Sequence, residues 1–320
     1  MHSKNLTNYY TNESVTDTFY SYQCKSYIAL NSLFFMIKIK PLDVILWTFR
    51  RNENDVVNLY NVLSPVMQLA SGGNMLNFGY WDNNDVSPIM AQNKLCDLVG
   101  NMAELDSAKS LLDIGSGLSS PASRWASSYP KIEIVCVNIN YLQLQAAKNH
   151  LKQGISNFSI YEINSTSTML PFSKNSADRI IALESAQHFK PFKDFISESN
   201  RILKKDGILT FAIPVTRKKS NIKNLGMLSF TWPSEHYDKD FIIRVTSKKF
   251  DVIEKMEIGS HVFEPLTDYY VKNRTKLQDI ILKQYPSYVE NILFKSLLKM
   301  KKASQEKLID YLLIKCIKIK

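Results

Sequence analysis

Five short apolar runs alternate with amphipathic stretches between residues 110 and 213, and nothing else in the chain constrains the fold as tightly. SLLDIG (110–115), IEIVCVN (132–138), FSIYEI (158–163), DRIIALE (178–184) and ILTFAI (208–213) read as strands, the last closed by Pro214. Between the first two, Pro121 suits the first turn of a helix running through Trp125. Leu144, Ala147 and Leu151 line one face of a second helix, stopped at Gly154. Phe192, Phe195, Ile196, Ile202 and Leu203 mark a third, expected to end near Gly207. Strand and helix alternating at this spacing mean βαβ units, hence an α/β protein with a doubly wound, mostly parallel sheet and helices on both faces. FDVIEKMEI (250–258) and LIDYLLIKCIKI (308–319) look like two last strands, which brings the count to seven.

Around that core, 320 residues leave room for one large domain or two small ones. Residues 1–50, rich in Asn, Ser, Thr and Tyr, read as a poorly ordered extension, and Met36 as an alternative start. Residues 51–105 form a helical lid and 106–213 the ligand-binding core, while 214–320 hold a cap insertion and the last strands of the same domain. YIALNSLFFMI (27–37) is too short for a membrane span, which takes about 20 residues, and lacks the basic start and cleavage site of a signal peptide. Four scattered cysteines with no CxxC pair and no Cys/His cluster argue against a disulfide framework and a metal site, and suit the reducing cytoplasm. From Lys190 to Lys320 there are 26 Lys and Arg against 15 Asp and Glu. Such a surface can meet nucleic acid, anionic lipid or an acidic substrate, or be no more than a set of solvated lysine faces.

Ligands of doubly wound sheets bind beyond the carboxyl ends of the strands, where the strand order reverses. Asp113, Asn138 and Glu184 fall at those ends. LLDIGSGLSSPA (111–122) is the first such bend, and its Gly115, Gly117 and Ser120 could pass for a degraded dinucleotide fingerprint. Two residues tilt the reading away from phosphate. Asp113, directly ahead of the glycines, repels a pyrophosphate but attracts an ammonium or sulfonium cation. The second strand ends in Asn138, where a dinucleotide enzyme needs an acid for the ribose; an amide can still bond a diol as donor and acceptor.

LLDIGSGLSSPASRWA, VCVNINYLQLQAAK, TMLPFSKNSADRIIALESAQHF and RILKKDGILTFAIP, in that order and spacing, resemble the class I S-adenosylmethionine-dependent methyltransferases. The likeness covers roughly residues 74–213 and is nearest the small-molecule branch with tocopherol and sterol C-methyltransferases and natural-product sugar O-methyltransferases. It implies a Rossmann-like fold with S-adenosyl-L-methionine as cofactor. It also implies roles: Asp113, Gly115 and Gly117 at the methionine end, Asn138 on the ribose, and Gln143 near ribose or adenine. NFGYW (77–81) resembles the aromatic segment that closes over the cofactor, so Tyr80 and Trp81 would wall off the sulfonium, where aromatic faces favour a cation. Two positions depart from the pattern. Thr166 replaces an Asp that contacts the adenine amino group, and Ser119 replaces the third glycine, which the loop tolerates if its dihedrals are negative.

Methyl transfer is an in-line displacement at an activated carbon, so the protein supplies positioning, desolvation and, for some acceptors, a base. ALESAQHF (182–189) carries the candidates. His188 matches a histidine of the sugar O-methyltransferases and could take a hydroxyl proton near neutral pH, or simply orient the following loop. Glu184 is expected to contact the cofactor or orient the site, because a carboxylate there stabilises the ground-state cation more than the transition state. Glu235 and His236, in the insertion, stand as substrate contacts or as surface residues of a cap. The expected acceptor is a mostly apolar small molecule, an isoprenoid, quinone or natural-product-like compound, methylated on carbon or oxygen. The aromatics of the insertion, Phe230, Trp232 and Tyr237, suit it, and a mixed basic and apolar surface would suit peripheral contact with a membrane. Three alternatives stay open: an RNA methyltransferase, disfavoured because no Asn/Asp-Pro-Pro-aromatic motif follows the fourth strand; an NAD(P)-dependent oxidoreductase; and a non-catalytic cofactor-binding relative.

Overall fold

Asn52 opens the described chain by capping its first helix. Its side chain accepts from the Asp55 amide at 3.2 Å while Asp55 accepts from the Asn52 amide at 3.1 Å, a reciprocal box that fixes the start of α1 (Glu53–Ser71). Gly72, at φ 77°, ends it in the left-handed conformation. Ser87 caps α2 (Pro88–Met102), with Pro88 in its first turn. The computed structural model describes residues 52–82, 87–154, 159–226 and 235–319, apart from the side chains of 150–154, and all of them belong to the unit spanning 39–320. The expectations for residues 1–50, including the apolar run and Met36, and for Phe230 and Trp232 lie outside the described residues.

Seven strands form one sheet: β1 (Ser110–Ile114), β2 (Glu133–Asn138), β3 (Ile160–Asn164), β4 (Ala177–Leu183), β5 (Leu203–Thr216), β6 (Phe250–Glu257) and β7 (Ile309–Lys318). Their order is β3-β2-β1-β4-β5-β7-β6. The first five are parallel, and β7 runs antiparallel between β5 and β6. The remaining helices are α3 (Ser120–Ser128), α4 (Tyr141–Gly154), α5 (Phe192–Ile202), α6 (Lys239–Thr246), α7 (Gly259–Lys272), α8 (Arg274–Leu282) and α9 (Ser287–Gln305). This is the Rossmann-like α/β architecture expected from the alternation of runs.

The core lies on both faces of the sheet because side chains alternate along each strand. In β7, Ile309, Tyr311 and Leu313 pack with Trp125 and Phe263 on one face. Leu312, Ile314 and Cys316 pack with Phe192, Phe195, Phe211 and Phe250 on the other. These aromatic rings are fully buried, and each contributes about 2–3 kcal/mol of apolar burial.

Four local expectations are corrected. The helix expected to end near Gly207 ends at Ile202, because Leu203 already pairs with Ala177. The ladder then slips to Arg179–Ile208, and the extra residues turn through Asp206 at φ 60°. Pro214 does not close β5, which β7 pairs as far as Thr216–Ile309. β4 stops at Leu183, and Glu184 turns away at φ 50°. Ser119 has φ 56°, not a negative value. It is wholly buried, and its amide bonds the Ser116 carbonyl at 2.8 Å, so the bend imposes a glycine-like conformation on a serine.

Candidate active site

β1 lies between β2 and β4, so the connections leave it in opposite directions and open a crevice at the strands' carboxyl ends. A cavity open at its mouth occupies that crevice, the place where doubly wound sheets take their ligands. Its floor is Ile114–Leu118 after β1, Val137–Asn140 with Gln143 after β2, Ser165 and Ser167 after β3, and Leu183–Ser185 with His188 after β4. Glu53, Val56, Val57 and Tyr60 of α1 cover it, helped by Asn74, Leu76 and Asn77.

The bend after β1 needs its first glycine. Gly115 has φ 78°, and a Cβ there would stand 2.3 Å from that of Ser185. Its amide bonds the Val137 carbonyl at 2.7 Å. The close approach locks the β1 and β4 loops together, with the Ser185 hydroxyl on the Ile114 carbonyl at 2.6 Å.

The end of β2 carries a buried amide network. Asn138 Nδ2 donates to the Gly117 carbonyl at 3.1 Å and to Gln143 Oε1 at 2.9 Å. Asn138 Oδ1 accepts from the Asn140 amide at 3.3 Å. One amide hydrogen is therefore spent on the loop and the other on Gln143 of α4, and the lone pair left on Oδ1 is an acceptor. Gln143 continues the chain to Ser64 Oγ on α1 at 3.0 Å, and Asn140 bonds Asn61 of the same helix at 2.8 Å.

The end of β4 holds the titratable groups. His188 Nε2 lies 2.8 Å from the Tyr60 hydroxyl, with the rings edge to face at 5.3 Å. Glu184 Oε1 accepts from the Phe78 amide and the Tyr311 hydroxyl, both at 2.9 Å. Burial pushes the Glu184 carboxyl up to about 8, against the opposing pull of those two donors.

Not every sequence candidate reaches the cavity. Gly115, Gly117, Asn138, Gln143, Glu184 and His188 line it; Asp113, Thr166, Tyr80 and Trp81 do not. Asp113 shares the sheet face of Leu111 and lies beneath the loop, 2% exposed, with no partner for Oδ2 among the described residues. Desolvation raises its carboxyl to about 7. Thr166 turns to Glu53 and Thr168 at the rim. Tyr80 stacks on His261 and Trp81 packs on Tyr269, so both rings join the segment between α1 and α2 to α7 rather than walling the cavity. Glu235 pairs with Lys190, and neither it nor His236 lines the cavity. Sequence reasoning missed Tyr60, Asn61, Ser64 and Tyr311, which sit in no motif. Asn140 was within reach, since it heads α4 with its side chain accepting from the Gln143 amide at 3.2 Å.

Residues 112–211 match the family model described as a methyltransferase domain. The erythromycin 3''-O-methyltransferase of Saccharopolyspora erythraea is 24% identical over 245 residues, which span 73% of this chain and 79% of that one. Among solved structures, the 4+2 cyclase SpnF superposes with a TM-score of 0.70 at 20% identity, covering 84% of this chain and 97% of that one. A cyclopropane synthase from Mycobacterium tuberculosis gives 0.70 at 15% identity, covering 88% and 100%. These structural likenesses establish the fold. The oxidoreductase, RNA-methylating and non-catalytic readings find no support in any of these matches.

Proposed function

We propose that this chain, a class I S-adenosylmethionine-dependent methyltransferase acting on small molecules, methylates a hydroxyl of a mostly apolar natural-product-like or isoprenoid acceptor. The observation that carries the reading is the meeting of the glycine bend, the Asn138–Gln143 pair and the His188–Tyr60 pair around one cavity.

The residues present fit the cofactor better than a dinucleotide. The carboxyls that line the cavity are Glu53 and Glu184, which favour a cation and oppose a pyrophosphate, while Asp113 lies beneath the bend outside it. No Lys or Arg lines the cavity among the described residues. Gly115 and Gly117 let the backbone approach the methionine end, and the free lone pair of Asn138 can accept from a ribose hydroxyl. When bound, the cofactor supplies an activated methyl carbon for in-line displacement.

The protein's own work is to exclude water and handle one proton. Val56, Val57, Leu76, Leu183 and Phe189 belong to the apolar part of the wall. The acceptor hydroxyl gives its proton to the Tyr60 oxygen as Tyr60 passes its own to His188 Nε2, so charge ends on the imidazole. Glu184, beside Ser185 and hence beside Gly115, orients the cofactor end of the site. The reading places the enzyme in the cytoplasm, where Cys96, Cys136 and Cys316 stay as buried thiols. Among the described residues no helix is long and apolar enough to cross a membrane.

Mass spectrometry of cell extract incubated with the protein and a methyl-labelled donor tests the reading. It predicts a labelled apolar product carrying one added methyl on oxygen. Label found only in RNA, or transfer unaffected by removing His188, would contradict it.

A further inference from the structure

Glu184 and Tyr311 form a pair to which the proton path assigns no part. Glu184 leaves β4 at φ 50°, a conformation that costs a non-glycine residue roughly 1–2 kcal/mol and brings its carboxyl to two donors at once. Both the Phe78 amide and the Tyr311 hydroxyl bond Oε1, while Oε2 has no partner among the described residues and the side chain lines the cavity. Tyr311 is fully buried in β7, and Glu184 is the partner of its hydroxyl.

The titratable groups around the carboxyl carry no fixed positive charge. Tyr60 and Glu53 on α1 and His188 after β4 share its cavity, and Asp113 on β1 lies beneath the adjoining loop. Tyr311 on β7 touches it, and Cys96 on α2 interacts with Tyr311. An ionised Glu184 is thus left for a ligand to compensate. Burial favours its neutral form and pushes its pKa up to about 8, while the Phe78 amide and the Tyr311 hydroxyl pull the other way.

We propose that the Glu184–Tyr311 pair makes the site prefer the charged methyl donor over its neutral demethylated product, with Tyr311 as the positioning residue that holds the carboxyl for this task. The proposal rests on the methyltransferase reading. Donor and product share the amino acid, ribose and adenine, so Asn138 acts equally on both, and only the methyl group and the charge it places on sulfur distinguish them. Donor binding ionises Glu184 and releases its proton to solvent; product binding does not. Once the methyl group has left, the carboxyl has no cation to hold and retakes a proton, which loosens the product.

Titration calorimetry with S-adenosylmethionine and S-adenosylhomocysteine between pH 6 and pH 9 tests this, with the ratio of their Kd values as readout. For the wild type the preference for the donor should rise at least fivefold with pH and level off above about 8. Glu184→Gln should hold the ratio at its low-pH value apart from the ligands' own titration, which this variant measures. Tyr311→Phe removes a donor to the carboxylate, so its plateau should move up by half a pH unit or more with product affinity unchanged. A 3-fluorotyrosine at 311, a stronger donor of nearly the same shape, should move it down. A flat wild-type ratio overturns the proposal, and so does an unshifted profile in Tyr311→Phe that melts like the wild type. Should Tyr311→Phe not fold, an unshifted fluorotyrosine profile overturns it equally. A wild type that binds neither ligand overturns the methyltransferase reading itself, and this proposal with it.

Discussion

The Tyr60 hydroxyl lies 2.8 Å from His188 Nε2, although the two residues are 128 positions apart. The contact joins the covering helix α1 to the end of β4 over the cavity. Tyr60 and His188 stand on one proton path, so removing either breaks it. His188→Ala and Tyr60→Phe are each expected to lower turnover about 10²–10⁴-fold. Both should bind S-adenosylhomocysteine within about twofold of the wild type, since neither residue holds the cofactor end. Single-turnover rates with labelled donor check this, and a Tyr60→Phe rate near that of the wild type would count against a relay.

Asn138 holds the Gly117 carbonyl, Gln143 and the Asn140 amide together. Asn138→Ala leaves those buried groups unpaired, at about 1–3 kcal/mol. We expect roughly tenfold or greater weakening of cofactor binding by calorimetry, with the helical circular dichroism spectrum retained.

Gly115→Ala puts a methyl group 2.3 Å from the Ser185 Cβ at a backbone angle that suits glycine. The β1 and β4 loops must part to admit it. Cofactor binding should fall below detection and thermal stability should drop. Gly117→Ala, whose nearest neighbour is Leu76 at 3.8 Å, should keep measurable binding.

The buried Asp113 carboxyl gives a pH signature. Its pKa in the fold, about 7, lies above the usual 3.8, so the fold binds a proton that the unfolded chain releases. The resulting stability is fully present below about pH 4 and is lost as pH rises through about 7, on the order of 2–4 kcal/mol. Thermal melts from pH 4 to pH 8 should show the wild type losing more stability than Asp113→Asn. Parallel profiles for the two proteins would contradict the assignment.

The sheet was legible because Leu111, Leu112, Ile114 and the matching runs in β2, β4 and β5 are buried on both faces, and a buried parallel strand reads as unbroken apolar sequence. Turns were harder. Ser119, Glu184 and Asp206 all take positive φ without being glycine, and only tertiary pairing imposes that. The floor of the site could be read where a local pattern encodes it, as in the Gly115–Gly117 bend or Asn138 at a strand end. Its cover could not: Tyr60, Asn61 and Ser64 occupy successive positions on one face of α1, where nothing local distinguishes them from other polar helix residues. The aromatics Tyr80 and Trp81 misled for the opposite reason. Their type suits a cation, but their neighbours on α7, His261 and Tyr269, are distant in sequence.

The central claim is that the cavity over the glycine bend takes a cationic adenosyl donor and no dinucleotide. Titration calorimetry of the wild type with S-adenosylhomocysteine and, separately, with NADH tests it most directly. The account predicts one binding site for S-adenosylhomocysteine, abolished by Gly115→Ala, and no heat from NADH. Binding of NADH with none of S-adenosylhomocysteine would contradict it.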